Sequence, residues 1–123
     1  MSPFTTPYER FKWLSDSYRL GLIDALECEL HLADMEQVTD DWKSGITGIR
    51  IPPDLFPELK DQFMNTYAGL DNLKLAINKF RTFLEQNNFE FEKEALQYAN
   101  EARKYFQDAL ECAHTLLATL HAA

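Results

Sequence analysis

Two pairs of acidic and histidine residues could bind a metal ion. Glu27 and His31 are four positions apart, and Glu111 and His114 are three apart, so each pair would share one face of a helix. The second spacing is that of one half of a carboxylate di-iron site, which also needs a second copy and inward-pointing glutamates. Both pairs fall on polar faces of the predicted helices, so a surface metal site shared between chains is the most they suggest.

A run of carboxylates is the strongest charge signal in the chain. Between residues 24 and 41 there are seven acids and no Lys or Arg, and they account for most of the net charge of −8. We predict a docking face for a basic protein surface here, because complementary charge speeds association and selects the partner. A face that only confers solubility is the other interpretation. The predicted partner-binding residues are Asp24, Glu27, Glu29, Asp34, Glu36, Asp40, Asp41 and Trp42.

Composition, charge and cysteine content limit the functional classes to which this protein can belong. A chain of 123 residues with 46% hydrophobic residues is expected to fold as one soluble domain. The acidic pI of about 4.8 argues against nucleic-acid binding, and no apolar run approaches the roughly 18 residues of a membrane span. Cys28 and Cys112 form neither a disulfide framework nor a zinc motif, which fits a cytoplasmic protein. No nucleophile motif or phosphate loop is present, so we predict neither an enzyme nor a cofactor.

Apolar residues recur every three or four positions along three segments, which predicts an all-α protein. The first helix begins at a capping box formed by Thr6 and Glu9, and the second continues through Gly69 with Asp54 as its N-cap. Asn87 and Asn88 predict a tight hairpin between the last two helices. The predicted elements are helix 1 at about 7–37, a loop at 38–53, helix 2 at about 54–86 and helix 3 at about 89–121.

Three long helices joined in this way predict an elongated, antiparallel up-down-up bundle. Helices 1 and 3 would then be parallel, and the acidic run would meet Asp108 and Glu111 at one anionic pole. The pentapeptide Asp-Ala-Leu-Glu-Cys occurs at 24–28 and again at 108–112. We therefore expect Cys28 and Cys112 to lie at one level, close enough for a forced cross-link.

Helix 1 has more apolar surface than two neighbouring helices can cover. Residues 20 to 37 carry one apolar stripe for the core and a second stripe that a three-helix monomer would leave partly exposed. The second stripe predicts a homodimer or a helical partner, and its main residues are Leu22, Ile23, Leu26 and Leu30. Glu29 and Glu36 lie between the stripes, where they either pair with a base or are hydrated; hydration is the favoured alternative.

These features together predict a non-catalytic, acidic helical protein that binds another macromolecule, with an inhibitor, immunity or adaptor role. Its contacts would be the anionic pole and the exposed apolar stripe. The alternative is a helical-bundle metal-dependent enzyme or metal-binding protein that uses the carboxylates and histidines of the polar stripe.

Overall fold

A computed structural model of the chain describes residues 6–47 and 56–122, with side chains at 6–46, 59–112 and 115. The described residues form four α-helices and no strand, which confirms the all-α class and corrects the count of three helices. None of these four helices has a stretch long and apolar enough to cross a lipid bilayer. The helices are α1 (Pro7–Arg19), α2 (Ala25–Thr47), α3 (Phe56–Gln86) and α4 (Phe89–Ala122).

The predicted first helix is in fact a helical hairpin. Thr6 caps α1 as expected, with its hydroxyl oxygen accepting from the Glu9 backbone N–H. The helix ends at Arg19. Gly21 follows with a left-handed φ of 73°, and the Leu22 N–H bonds to the Ser17 carbonyl as in a Schellman motif. Asp24 starts α2 by accepting from the backbone N–H of Glu27 at 2.8 Å. The continuous helix over 7–37 was therefore a wrong prediction.

The far end of α2 also differs from the prediction. The loop expected at 38–53 is helical as far as Thr47, so Trp42 lies on a helix. Residues 48–53 of that loop, and the proposed cap Asp54, lie outside the described residues.

Ion pairs and ring contacts define an up-down-up-down bundle. Arg10 of α1 reaches back to Asp34 of α2 across the turn, so these two helices are antiparallel. Lys74 of α3 pairs with Asp40 of α2 and Arg81 with Glu29, so α2 and α3 are antiparallel. Lys79 of α3 pairs with Glu94 of α4 and Gly69 lies beside Phe106, so α3 and α4 are antiparallel too. Helix α1 closes the bundle against α4.

The core lies where all four helices meet. Phe11 and Leu14 of α1 are fully buried against the rings of Phe80 and Phe83 from α3. Cys28, Leu32 and Met35 cover this cluster from α2, and Ala95, Ala99 and Ala102 from α4. Small residues on α4 let it approach α3 closely.

The connection between α3 and α4 confirms the predicted tight hairpin. Asn87 has a φ of 53° and its N–H bonds to the Phe83 carbonyl, while the Asn88 side chain accepts from the Glu90 N–H. Gly69 does not interrupt α3. A Cβ built there would lie 2.6 Å from the Phe106 ring, so the glycine permits a close crossing with α4.

The two cysteines lie far apart, contrary to the expectation that they share a level. Cys28 is near the start of α2, beside the α3–α4 hairpin, whereas Cys112 is near the end of α4. Helices α2 and α4 are parallel, but at 1.5 Å per residue the offset between the cysteines is roughly 30 Å. The repeated pentapeptide therefore does not bring the two cysteines close to each other.

Candidate docking surfaces on the second helix

The acidic run extends along the length of α2 and does not form a pole. Asp24 lies at the N-terminus of this helix and Asp41 in its last third, about 25 Å apart at 1.5 Å per residue. Asp108 and Glu111 are near the C-terminus of α4, so only the Asp41 end of the run lies near them. The predicted convergence of all these acids at one end was wrong, because the chain reverses at Gly21.

Basic residues of neighbouring helices neutralise four of the seven acids. Arg81 of α3 lies 2.8 Å from Glu29 and 2.9 Å from Glu36, so these glutamates pair with a base instead of being only hydrated. These hydrogen bonds, to Glu29 first, outweigh burial and raise the pKa of Arg81. Arg10 binds Asp34 at 2.8 Å, and Lys74 binds Asp40 at 2.7 Å.

The other three acids of the run remain available for external charge. Asp24 caps α2, and Asp41 accepts a hydrogen bond from Gln37 at 2.9 Å. Glu27 is exposed, and none of the three forms an ion pair with a described residue. Seven carboxylates against three paired cations leave four uncompensated negative charges along this helix.

Three leucines form an uncovered apolar stripe on α2 and the turn before it. Leu22, Leu26 and Leu30 are 72%, 68% and 63% exposed. Leu26 and Leu30 lie on successive turns of α2, on the side opposite its buried residues, and Leu22 lies in the turn that precedes this helix. Ile23, the fourth residue of the predicted stripe, packs instead against the core. Leu22, Leu26 and Leu30 together are called the leucine stripe.

The metal-binding candidates do not converge. His31 is half-buried between α1 and α2, where its Nδ1 accepts from Arg10 and its ring lies 5.1 Å from the Trp13 ring. Burial first and the Arg10 charge second lower the pKa of His31. Glu111 is exposed, and the side chain of His114 lies outside the described residues. Within the described part of the chain, no three His, Cys, Asp or Glu residues are grouped to hold a metal ion.

An apolar groove beside Trp42 was not found from the sequence. Its volume is about 380 Å³, and it opens where α1 begins. The groove, called the end groove below, is lined by Pro7, Val38, Thr39, Trp42, Leu70, Leu73 and Phe106. The missed signal was Gly21 followed by Asp24 and Glu27, the end of one helix and the capping box of the next. Recognising that break would have shown that α1 is too short to cover its neighbours.

Comparison with known proteins finds no match for this chain among protein-family models, curated proteins or solved structures.

Proposed function

We propose that this protein is a non-catalytic binding protein that docks another protein through the leucine stripe and the carboxylates beside it. The observation that carries the proposal is the exposure of three leucines, with Leu22 in the turn before α2 and Leu26 and Leu30 on successive turns of one face of that helix. Exposed apolar side chains in a contiguous patch, rimmed by polar residues, are typical of protein-binding sites.

The charges around the stripe favour a basic partner. No Lys or Arg lies between residues 24 and 41, and Asp24, Glu27 and Asp41 form no ion pair with a described residue. A partner helix with an apolar seam flanked by Lys or Arg would bury the leucines and meet these carboxylates. An inhibitor, immunity or adaptor role is compatible with such a surface.

Homodimerisation through the same stripe is the second candidate. It is favoured by the pairing of Glu29 and Glu36 with Arg81, which removes part of the repulsion between two copies. Three leucines nevertheless cover much less than the roughly 800 Å² per partner of a stable interface. Self-association through this patch alone is therefore weak.

A labelled peptide tests the proposal directly. The probe is a synthetic amphipathic helix with leucines on one face and lysines on both flanks, compared with a scrambled peptide of the same composition. Fluorescence anisotropy should detect binding of the amphipathic peptide only, with an affinity that falls as salt screens charges beyond about 8 Å at physiological ionic strength.

Two variants locate that binding. Leu26→Glu with Leu30→Glu should weaken it, while the matched control Leu75→Glu, an exposed leucine on α3, should leave it unchanged. Circular dichroism checks that both variants remain helical. Equal binding by the double variant and the native protein would contradict the proposal. Sedimentation equilibrium decides the second candidate, because the double variant should then lose a weak native dimer.

A further inference from the structure

The end groove exists because α1 is much shorter than the helices it packs against. It has 13 residues, whereas α2, α3 and α4 have 23, 31 and 34. Helix α1 begins at Pro7, beside Leu70 and Leu73 of α3. Beyond that level α2 continues for about 14 Å from Val38 to Thr47, and α3 and α4 continue further. Among the described residues, no helix occupies the fourth position of the bundle over this length.

The residues that face this vacancy are those that a fourth helix would cover. Val38 and Trp42 of α2 are 49% and 61% exposed, and Leu110 of α4 is 57% exposed. Leu110 lies one heptad beyond Arg103, which packs its guanidinium over the Tyr8 ring of α1. Val38 and Trp42 on α2, and Leu110 on α4, therefore continue the helix faces that α1 contacts nearer the centre of the molecule.

The floor of the groove is apolar and closely packed. Phe106 lies against the Cβ-less backbone of Gly69. Thr39 is the lining residue with a side-chain hydroxyl, and that hydroxyl already donates to the Met35 carbonyl at 2.7 Å. Apolar side chains therefore suit this floor better than a polar ligand, whose groups would lose their hydrogen bonds to water.

The rim of the groove nearest α2 carries the negative charge of Asp41, which forms no ion pair with α1. Arg10 of α1 binds Asp34, and Asp41 lies one heptad further along the same side of α2. Asp41 is exposed and makes no ion pair among the described residues. A helix that continued the line of α1 would bring a side chain from its α2-facing edge to Asp41, and a Lys or Arg there would repeat the Arg10 contact.

We propose that the end groove binds a short amphipathic helix of a partner protein, which takes the vacant position of α1 with its apolar face on Trp42 and Leu73 and a cation at Asp41. Continuity with the interface of α1 specifies a helix, and Asp41 specifies its charge. This site is separate from the leucine stripe, and it does not depend on the function proposed for that stripe.

The test uses the full chain with Leu26→Glu and Leu30→Glu, so that the leucine stripe cannot bind the probe, and two synthetic helical peptides. Both carry leucines on one face; one has lysines along a single edge, and the other has glutamates at those positions. We expect the lysine peptide to bind with a defined affinity. Val38→Glu should weaken this binding by about tenfold or more, because it places a charge in the apolar lining. The matched control Leu22→Glu, on the leucine stripe, should leave it unchanged.

Charge reversal at Asp41 separates the groove from general attraction to an acidic protein. Asp41→Lys should weaken binding of the lysine peptide and strengthen that of the glutamate peptide, whereas Glu27→Lys, an exposed acid far from the groove, should change neither beyond the effect of net charge. Equal responses to the two reversals would overturn the proposal, as would binding that survives Val38→Glu or no binding at millimolar peptide. A dimer of the native chain that Val38→Glu dissociates would also overturn it, since a second copy would then fill the groove.

Discussion

The bundle has two halves along its length: one contains α1, and the other extends beyond Pro7, where α1 begins. Both halves contain parts of the same three long helices, α2, α3 and α4, but they differ in packing. In the first half, Phe11 and Leu14 of α1 are fully buried, and Arg19 binds Glu92, whose side chain is only 2% exposed. In the second half, the matching faces of α2 and α4 end in exposed Val38, Trp42 and Leu110. A bundle face is stabilised when a helix covers it, so we expect the half that contains α1, the packed half, to contribute more of the stability than the open half beyond Pro7.

The largest contrast is expected from aromatic truncations in the two halves. Phe80→Ala removes a fully buried ring that contacts Phe11 and Phe83, and should lower the free energy of unfolding by about 4 kcal/mol. Trp42→Ala, in the open half, should cost roughly 0.5 kcal/mol. Urea denaturation followed by circular dichroism measures both. Similar losses for the two variants would mean that the end groove is part of the core.

The second largest effect on the free energy of unfolding is expected at Glu92, the buried carboxylate of the packed half. Arg19→Ala leaves Glu92 buried without its cation, which should lower the free energy of unfolding by about 3 kcal/mol. Lys12→Ala, which removes an exposed pair with Asp16, should change it by less than about 0.5 kcal/mol. Adding Glu92→Leu to Arg19→Ala should recover most of the loss in the same denaturation experiment. No recovery would mean that Arg19 stabilises through its contact with Phe89 instead.

Alanine substitutions at two glycines should change stability in opposite directions. Gly69→Ala introduces a Cβ against the Phe106 ring and should cost about 1–2 kcal/mol, since the ring must move. Gly45 of α2 has no atom within 4 Å of the added Cβ, so Gly45→Ala should stabilise the helix by about 0.5–1 kcal/mol. Thermal unfolding measures both shifts. A stabilising Gly69→Ala would show that α3 and α4 do not need their close crossing.

The contact between α1 and α2 should weaken at acidic pH. Burial and the Arg10 charge hold the pKa of His31 below its ordinary 6.5, while Asp34 and Glu27 oppose this shift and the Trp13 ring covers the imidazole. Because the unfolded chain then binds the proton more readily, stability is full above pH 6.5 and falls as the pH drops towards the folded-state pKa.

His31→Asn isolates that effect. Its side-chain oxygen can still accept from Arg10 but does not titrate, so the slope of unfolding free energy against pH should be shallower than in the native protein just below pH 6.5. Parallel slopes for the two proteins would assign the acid sensitivity to the carboxylates.

The smallest change is chemical and leaves the fold intact. Burial, with help from Asp24 and Glu27, raises the pKa of the Cys28 thiol to about 11, whereas Cys112 is half-buried. A thiol reagent should therefore modify Cys112 first and Cys28 only on unfolding. Peptide mapping after brief labelling measures the order. An intramolecular Cys28–Cys112 disulfide would contradict the separation of the two residues.

The sequence by itself determined the helical class, the cap at Thr6, the hairpin at Asn87 and the continuity of α3 through Gly69. These are local properties: three-and-four periodicity, a side chain that accepts a backbone N–H, and a residue that tolerates positive φ. The acidic character of α2 and the exposure of Leu22, Leu26 and Leu30 follow from the same local pattern, because that helix has two apolar stripes.

The tertiary structure alone decided which helices meet and at what level. The apolar period continues through Gly21, so periodicity could not reveal that the chain reverses direction there. Because of this reversal, the residues before Asp24 have other neighbours than a single helix over 7–37 would give them. Arg10, Lys74 and Arg81 are distant in sequence from the acids that they bind, and no local spacing encodes those pairs. The end groove likewise results from the difference in length between α1 and the other helices, and it forms only when the four helices pack side by side.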